Sequence, residues 1–255
     1  MYFDTHVHLN SEQYEDIEKV IHDALENNVS KMVAVGYDLY TSRKAVKIAN
    51  EYDFIYAIVG IHPSEVKKMK DTDLLEIESL LENKKVVGVG EIGLDYHWDK
   101  DNKQEQKDVF VEQIKLANKY NLPISIHSRE AGEDTYQILK ENQEYYKKGI
   151  MHCYSYSLEL AKEFIKLGFY LSFGGPITFL NAKTNKEVVK NIDIKNILIE
   201  TDAPYLTPHP FRGKLNEPKY IHLVAKEIAI LKNMSYQDVA KLTYDNACKL
   251  FEVEK

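Results

Sequence analysis

The chain has 255 residues, 44% of them hydrophobic, and a formal net charge of −7, which fits one large α/β domain with a real core. No apolar run approaches the ~18 residues needed to cross a bilayer, and two cysteines, Cys153 and Cys248, make no disulfide framework. The acidic balance excludes a protein that tracks long nucleic acid over a broad basic surface, but leaves room for a pocket in which bound cations supply local positive charge. A soluble, cytoplasmic protein with no membrane partner is the expectation.

Phe3-Asp4-Thr5-His6-Val7-His8-Leu9 reads as a short buried strand beginning almost at Met1, which predicts no signal peptide and no leading domain. His6 and His8 are two apart, so on a strand both imidazoles leave from one face, about 7 Å apart at the Cα atoms. Two neutral imidazoles at a strand end make half of a divalent-metal site; alone, they are equally two polar residues beginning a strand.

Apolar spacing then predicts a helix over Ser11 to Asn27, a buried strand over Lys31 to Gly36, a helix over Thr41 to Tyr52 and a strand over Phe54 to Val59. A polar helix, Asp71 to Glu82, precedes a fourth strand, Val86 to Glu91. The long helix Lys103 to Tyr120 carries Val109, Phe110, Ile114 and Ala117 at helical intervals. Pro123 to His127 is the fifth strand, Ala131 to Asn142 a helix, Gly149 to His152 the sixth strand, and Ser157 to Leu167 a helix. Phe169 to Phe173 is the seventh strand. The loop Gly174-Gly175-Pro176 and a helix near Lys186 to Asn191 lead to Ile197 to Glu200, the eighth. Pro218 to Lys232 is the closing helix, and Ser235 opens one more that ends near Phe251.

Eight strands, each followed by a helix, predict a (β/α)8 TIM-type barrel with an extra C-terminal helix, residues 1–255 forming a single domain. A doubly wound sheet is the competing architecture, but no Gly-x-Gly-x-x-Gly follows any strand. Barrels of this kind take catalytic groups from the C-terminal ends of several strands. His6 and His8 close the first strand, Glu91 the fourth, His127 the fifth and His152 the sixth, and Asp202 lies just beyond the eighth. His22 and His222 read as surface or helix-packing residues. Six ligands are too many for one catalytic zinc with three protein ligands and a water, so a two-metal centre with a bridging carboxylate accounts for them better.

The chain resembles the TatD family of metal-dependent deoxyribonucleases, within the amidohydrolase-like barrels. The matching blocks are Phe3 to Asn10, Gly60-Ile61-His62-Pro63, Gly90 to Tyr96, Pro123 to Arg129, His152-Cys153-Tyr154-Ser155, Glu200 to Leu206 and Arg212 to Pro218. They run in order from residue 3 to residue 218 and so span essentially the whole chain. The resemblance implies one metal among His6, His8, Glu91 and Asp202, and a second among Glu91, His127 and His152. No lysine stands at a matching strand end to be carboxylated, so Glu91 takes the bridging part. Mg²⁺, Mn²⁺ or Zn²⁺ would each suit these mixed ligands.

The activity implied is hydrolysis of DNA phosphodiesters, 3′ to 5′ from single-stranded ends, by a metal-activated water whose proton Asp202 would accept while ligating. Glu91 and Asp202 are thus the catalytic carboxylates. The rival reading is a D-aminoacyl-tRNA deacylase, or another ester or amide hydrolase, using the same metals. No obligate protein partner is implied. A degenerate, non-catalytic barrel would have lost a ligand, and none is missing.

Four further residues are candidates for substrate contact. His62 would meet phosphate or serve the turn fixed by Pro63, and Tyr96 would stack on a base or pack its loop. Only Arg43, Arg129 and Arg212 of the 33 basic residues are arginine, which raises the question of bidentate donation at each. Arg129 would reach phosphate or, as a buried arginine, brace a carboxylate; Arg212 would meet substrate or pair with Glu217. Trp98 reads as exposed loop or partial core with some use for a strand end, and Cys153, one residue along a strand from His152, as packing. Asp193 and His209-Pro210-Phe211 depart from the family pattern without touching a proposed ligand.

Overall fold

A computed structural model describes residues 1–98 and 100–254. Its strands are β1 (Tyr2–Val7), β2 (Val29–Val35), β3 (Ile55–Val59), β4 (Val86–Asp95), β5 (Ile124–Arg129), β6 (Gly149–Met151), β7 (Phe169–Phe173) and β8 (Ile197–Ile199). They pair in chain order and every pair is parallel. The crossovers carry α1 (Ile17–Glu26), α2 (Leu39–Glu51), α3 (Asp73–Leu80), α4 (Lys103–Tyr120), α5 (Gly132–Glu141), α6 (Leu158–Lys166) and α7 (Lys183–Asn191). Two more, α8 (Ile221–Lys232) and α9 (Tyr236–Phe251), follow the last strand. The expected barrel with its extra C-terminal helix is the observed one. Among the described residues no helix is long and apolar enough to cross a membrane.

Most elements lie within a few residues of where apolar spacing put them, and three differ for identifiable reasons. The first helix starts late because the Asp16 side chain accepts from the Lys19 amide and caps α1 there. The residues before it instead send Tyr14 inward, where its hydroxyl donates to the Asn216 carbonyl at 2.9 Å. The closing helix begins as a short 3₁₀ turn, Pro218–Tyr220, before α8 proper. The fourth strand runs past Glu91 to Asp95, so Glu91 lies within β4 and not at its end.

That last difference bears on the site. From Val89 to Ile92, β4 advances three residues while β5 advances two, from Ile124 to Ile126. In β1 the same happens from Asp4 to Val7, against Met32 to Ala34 of β2. Side chains alternate between faces along a strand, so one extra residue reverses the facing of every residue after it. Both slips fall where the candidate ligands begin.

The core has two parts. The larger lies between sheet and helices. The smaller fills the barrel's N-terminal end with Phe3, Val33, Ile58, Val87, Ile150 and Leu198, and α9 closes it from below with Tyr244 and Phe251. Phe3 meets those two rings at 6.0 and 5.7 Å between centroids. The opposite, C-terminal end is left for polar residues.

The seam between β8 and β1 is closed by polar bonds. Asp202 N donates to His6 O at 2.9 Å, His8 N to Ala203 O at 2.8 Å, and Thr5 Oγ1 to Ile199 O at 3.0 Å. Buried Asp4 adds to them, accepting from Thr201 N at 2.9 Å and Thr201 Oγ1 at 2.5 Å. The bonds that close the barrel are therefore made by the main chain of three candidate ligands, His6, His8 and Asp202, and by the side chains of their neighbours Asp4, Thr5 and Thr201.

Gly93 sits beside His127 in the β4–β5 ladder with φ +137, and a β-carbon there would overlap the His127 carbonyl oxygen. Gly93→Ala is expected to cost about 3 kcal/mol or more. That corresponds to a melting temperature lower by roughly 6–12 °C in a chain of this size, read by calorimetry or circular dichroism.

Candidate metal centre at the barrel mouth

The six residues that sequence reasoning selected as ligands converge on one spot. Glu91 stands at the middle, 5% exposed, with its two oxygens facing different neighbours. Oε2 lies 3.6 Å from His6 Nε2 and 3.8 Å from His8 Nε2. Those two nitrogens are 3.3 Å apart and lie 3.7 and 3.4 Å from Asp202 Oδ1. A tetrahedral cation with bonds of about 2.0–2.1 Å separates its donor atoms by about 3.4 Å. The separations among His6, His8 and Glu91, and from the two histidines to Asp202, run from 3.3 to 3.8 Å and lie close to that spacing.

Oε1 of Glu91 faces the second set: His127 Nδ1 at 3.0 Å, His152 Nε2 at 3.6 Å and His62 Nε2 at 3.6 Å. Glu91, His127 and His152 form one group of potential metal donors, and His6, His8 and Glu91 another. The residues present therefore fit divalent cations, with Glu91 common to both sets.

Outer partners aim several of these rings. His8 Nδ1 is 3.0 Å from the Val35 carbonyl, which keeps the proton on Nδ1 and leaves the Nε2 lone pair for the centre. His152 Nδ1 lies 2.9 Å from Glu200 Oε1, and that carboxylate also accepts from Cys153 N at 2.8 Å. His127 Nε2 is 3.0 Å from Asp95 Oδ2. His62 differs: its Nδ1 accepts from the Ser64 amide at 3.1 Å, so the neutral ring carries its proton on Nε2. It can donate to an oxygen in the centre but has no lone pair to offer a metal there.

Charge follows the same plan. Burial pushes the Glu91 carboxyl up, but the imidazoles of His62, His127, His6 and His152 outweigh it and hold it well below the usual range. Asp202 is likewise raised by burial and brought down further by His8, His152 and His6. Both carboxylates are ionised at neutral pH, as ligands must be. Burial disfavours the charged form of His62, His127 beside it adds to this, and its pKa falls to about 3. His152 goes the other way, to about 10, because Glu200 overcomes the effect of burial, so its ring would have to give up a proton when a cation binds.

Sequence reasoning did not give roles to Asp95, Glu200 or Asp4. Asp95 had a legible signal, since Glu91, Gly93 and Asp95 are i, i+2 and i+4 on one strand and share a face. Its carboxyl is raised by burial and brought down to about 2 by His127 and the Trp98 and His97 amides. Glu200 and Asp4 are fully buried, and their partners are distant in sequence, His152 for Glu200 and Thr201 for Asp4, so nothing local marks them.

The substrate-side candidates lie around the centre. Arg129 is exposed, and no carboxylate braces it among the described residues; its guanidinium carbon lies 5.4 Å from the Trp98 ring centroid. Arg212 does not pair with Glu217, which takes Lys219 at 2.8 Å; it lies over Phe179 at 4.6 Å. Tyr96 is buried, with Lys103 over its ring at 4.2 Å and its hydroxyl donating to Asp134 at 2.7 Å, so it packs the loop. Cys153 lies beyond the end of β6 with φ +44, so strand alternation does not govern it; its amide serves Glu200. His22 is exposed on α1, and His222 bonds the Lys219 carbonyl on α8, both clear of the centre.

A family model described as TatD related DNase matches residues 3–252. YabD of Bacillus subtilis, an uncharacterized metal-dependent hydrolase, is 53% identical over 254 residues, covering 99% of this chain and 100% of its own. The crystal structure of YjjV, a TatD homolog from Escherichia coli K12, is 30% identical with a TM-score of 0.94 and covers 99% of this chain and 98% of that one. A TatD family hydrolase from Entamoeba histolytica is 26% identical with a TM-score of 0.87, over 98% of this chain and 97% of its own.

If Glu91 serves both donor sets, its loss should be felt twice. Metal analysis after dialysis against Mn²⁺ or Zn²⁺ should find about two ions per chain in the native protein. Asp202→Asn should retain about one, and Glu91→Gln should bind both at least about tenfold more weakly. Equal retention by the two variants would contradict a shared carboxylate.

Proposed function

Because this chain belongs to the TatD family of metal-dependent hydrolases, we propose that it is a deoxyribonuclease removing nucleotides from the 3′ ends of single-stranded DNA. The observation that supports this reading is the division of Glu91 between two donor sets, the arrangement suited to in-line displacement at phosphorus. Two divalent ions bound there, Mg²⁺, Mn²⁺ or Zn²⁺, would supply a water of lowered pKa and neutralise phosphate oxygens.

The chain's own residues do the rest. Asp202 is ionised and has Oδ1 turned into the centre, so it takes the proton of the attacking water. His62, held neutral by burial, donates from Nε2 to a non-bridging phosphate oxygen and fixes its orientation. Glu200 and Asp95 keep His152 and His127 from turning away. The net charge of −7 disfavours a long track and favours capture of a strand end at the mouth.

Digestion of an end-labelled single-stranded oligonucleotide tests the reading, with metal-stripped protein against protein given back Mg²⁺ or Mn²⁺. Metal-dependent shortening from the 3′ end is expected, with Asp202→Ala slower by about 10³-fold or more. No shortening by a protein that binds its ions would overturn it, and release of an acyl group from D-aminoacyl-tRNA instead would assign the centre to ester hydrolysis.

A further inference from the structure

Two of the three arginines lie against aromatic rings on the barrel mouth, and the two places are built alike. Trp98 follows β4 and is met by Arg129, the last residue of β5, at 5.4 Å. Phe179 follows β7 and is met by Arg212, from the loop after β8, at 4.6 Å. In each case an aromatic residue from one strand's loop is paired with an arginine from the next strand. The two pairs are three strands apart around the eight, on either side of the metal centre. Arg43, by contrast, lies on the outside of the barrel on α2 and pairs with Glu76 of α3.

Trp98 is 72% exposed although Arg129 covers one face and His97 meets it edge-on at 4.8 Å between centroids. A large part of the indole therefore remains open. Its backbone is tied to the centre: Asp95 accepts from the Trp98 amide at 3.1 Å through Oδ1 and holds His127 through Oδ2. On the other side, the Thr178 hydroxyl accepts from His209 N at 2.8 Å, joining the Phe179 loop to the loop that carries Asp202. Phe179 is half-buried, so the open indole of Trp98 offers the larger stacking surface for a base and the edge of the Phe179 ring the smaller, each beside a guanidinium that can serve a phosphate as a charge-assisted donor.

We infer that Trp98–Arg129 and Phe179–Arg212 are two nucleobase platforms that hold the nucleotides on either side of the phosphate presented to the metal centre. This rests on the nuclease reading and specifies the substrate class as a flexible single strand whose bases are splayed onto the two platforms. Neither arginine is committed to a carboxylate among the described residues, so both are available to substrate.

Trp98 is the single tryptophan of the chain, so its fluorescence reports the first platform directly. Metal-loaded protein would be titrated with a phosphorothioate oligothymidylate, which resists cleavage, and with an abasic strand of equal length and charge. The base-bearing strand is expected to quench Trp98 and to bind about tenfold more tightly or better. Fluorescence anisotropy of labelled strands should show that Trp98→Ala and Phe179→Ala each remove a large part of that preference while binding of the abasic strand changes little. Equal affinity for both strands without quenching, in protein that still cuts ordinary DNA, would overturn the platforms and leave the nuclease reading standing. Failure to bind either strand, in protein that also leaves ordinary DNA uncut, would remove the nuclease reading and the platforms with it.

Discussion

A carboxylate with less than a tenth of its surface in water costs several kcal/mol to hold ionised, and the mouth of this barrel is arranged around meeting that cost at Glu91. Five imidazoles surround it, two from the end of β1 and the others from the segment after β3, from β5 and from just beyond β6. The extra residue in β4 turns Glu91 toward the barrel axis, and the extra residue in β1 precedes the two histidines that meet it. Carboxylates and carbonyls behind those rings decide which nitrogen is offered. The site is thus a closed set of mutual requirements, in which a change at Asp95 or Glu200 reaches the centre through the imidazole each one holds.

The architecture and the cluster of candidate ligands are legible in the sequence for one reason. A parallel barrel buries both faces of each strand, so strands appear as short apolar runs, and a histidine or carboxylate ending such a run stands out. His6, His8, His127 and His152 announced themselves in that way, and Asp202 did so by following Ile197-Leu198-Ile199. Glu91 lies within a strand that continues to Asp95 and His127 within one that continues to Arg129, so neither stands at its strand's end.

What remained illegible depends on contacts far apart in sequence. That Asp4 would meet Thr201, or Glu200 His152, has no local trace. Neither does the pairing of arginines with aromatic rings, for which a sequence offers only the rarity of arginine. Arg129 shows how easily that hint misleads: the expectation of a buried brace fails because β5 carries it past the rim into solvent.

The seam between β8 and β1 has a consequence for inheritance. A barrel usually keeps its closure and its chemistry in separate places, the one in the strand ladder and the other in loops, so that either can drift while the other is retained. Here Asp4, His6, His8 and Asp202 lie in the very segments whose bonds shut the cylinder. The bonds at the three candidate ligands are main-chain bonds that any residue makes, so those side chains could change without opening the wall, whereas Asp4 and Thr201 close it with their side chains. A descendant that gave up hydrolysis would therefore be free to lose the histidines while it kept Asp4, and the closure of the cylinder would outlast its chemistry.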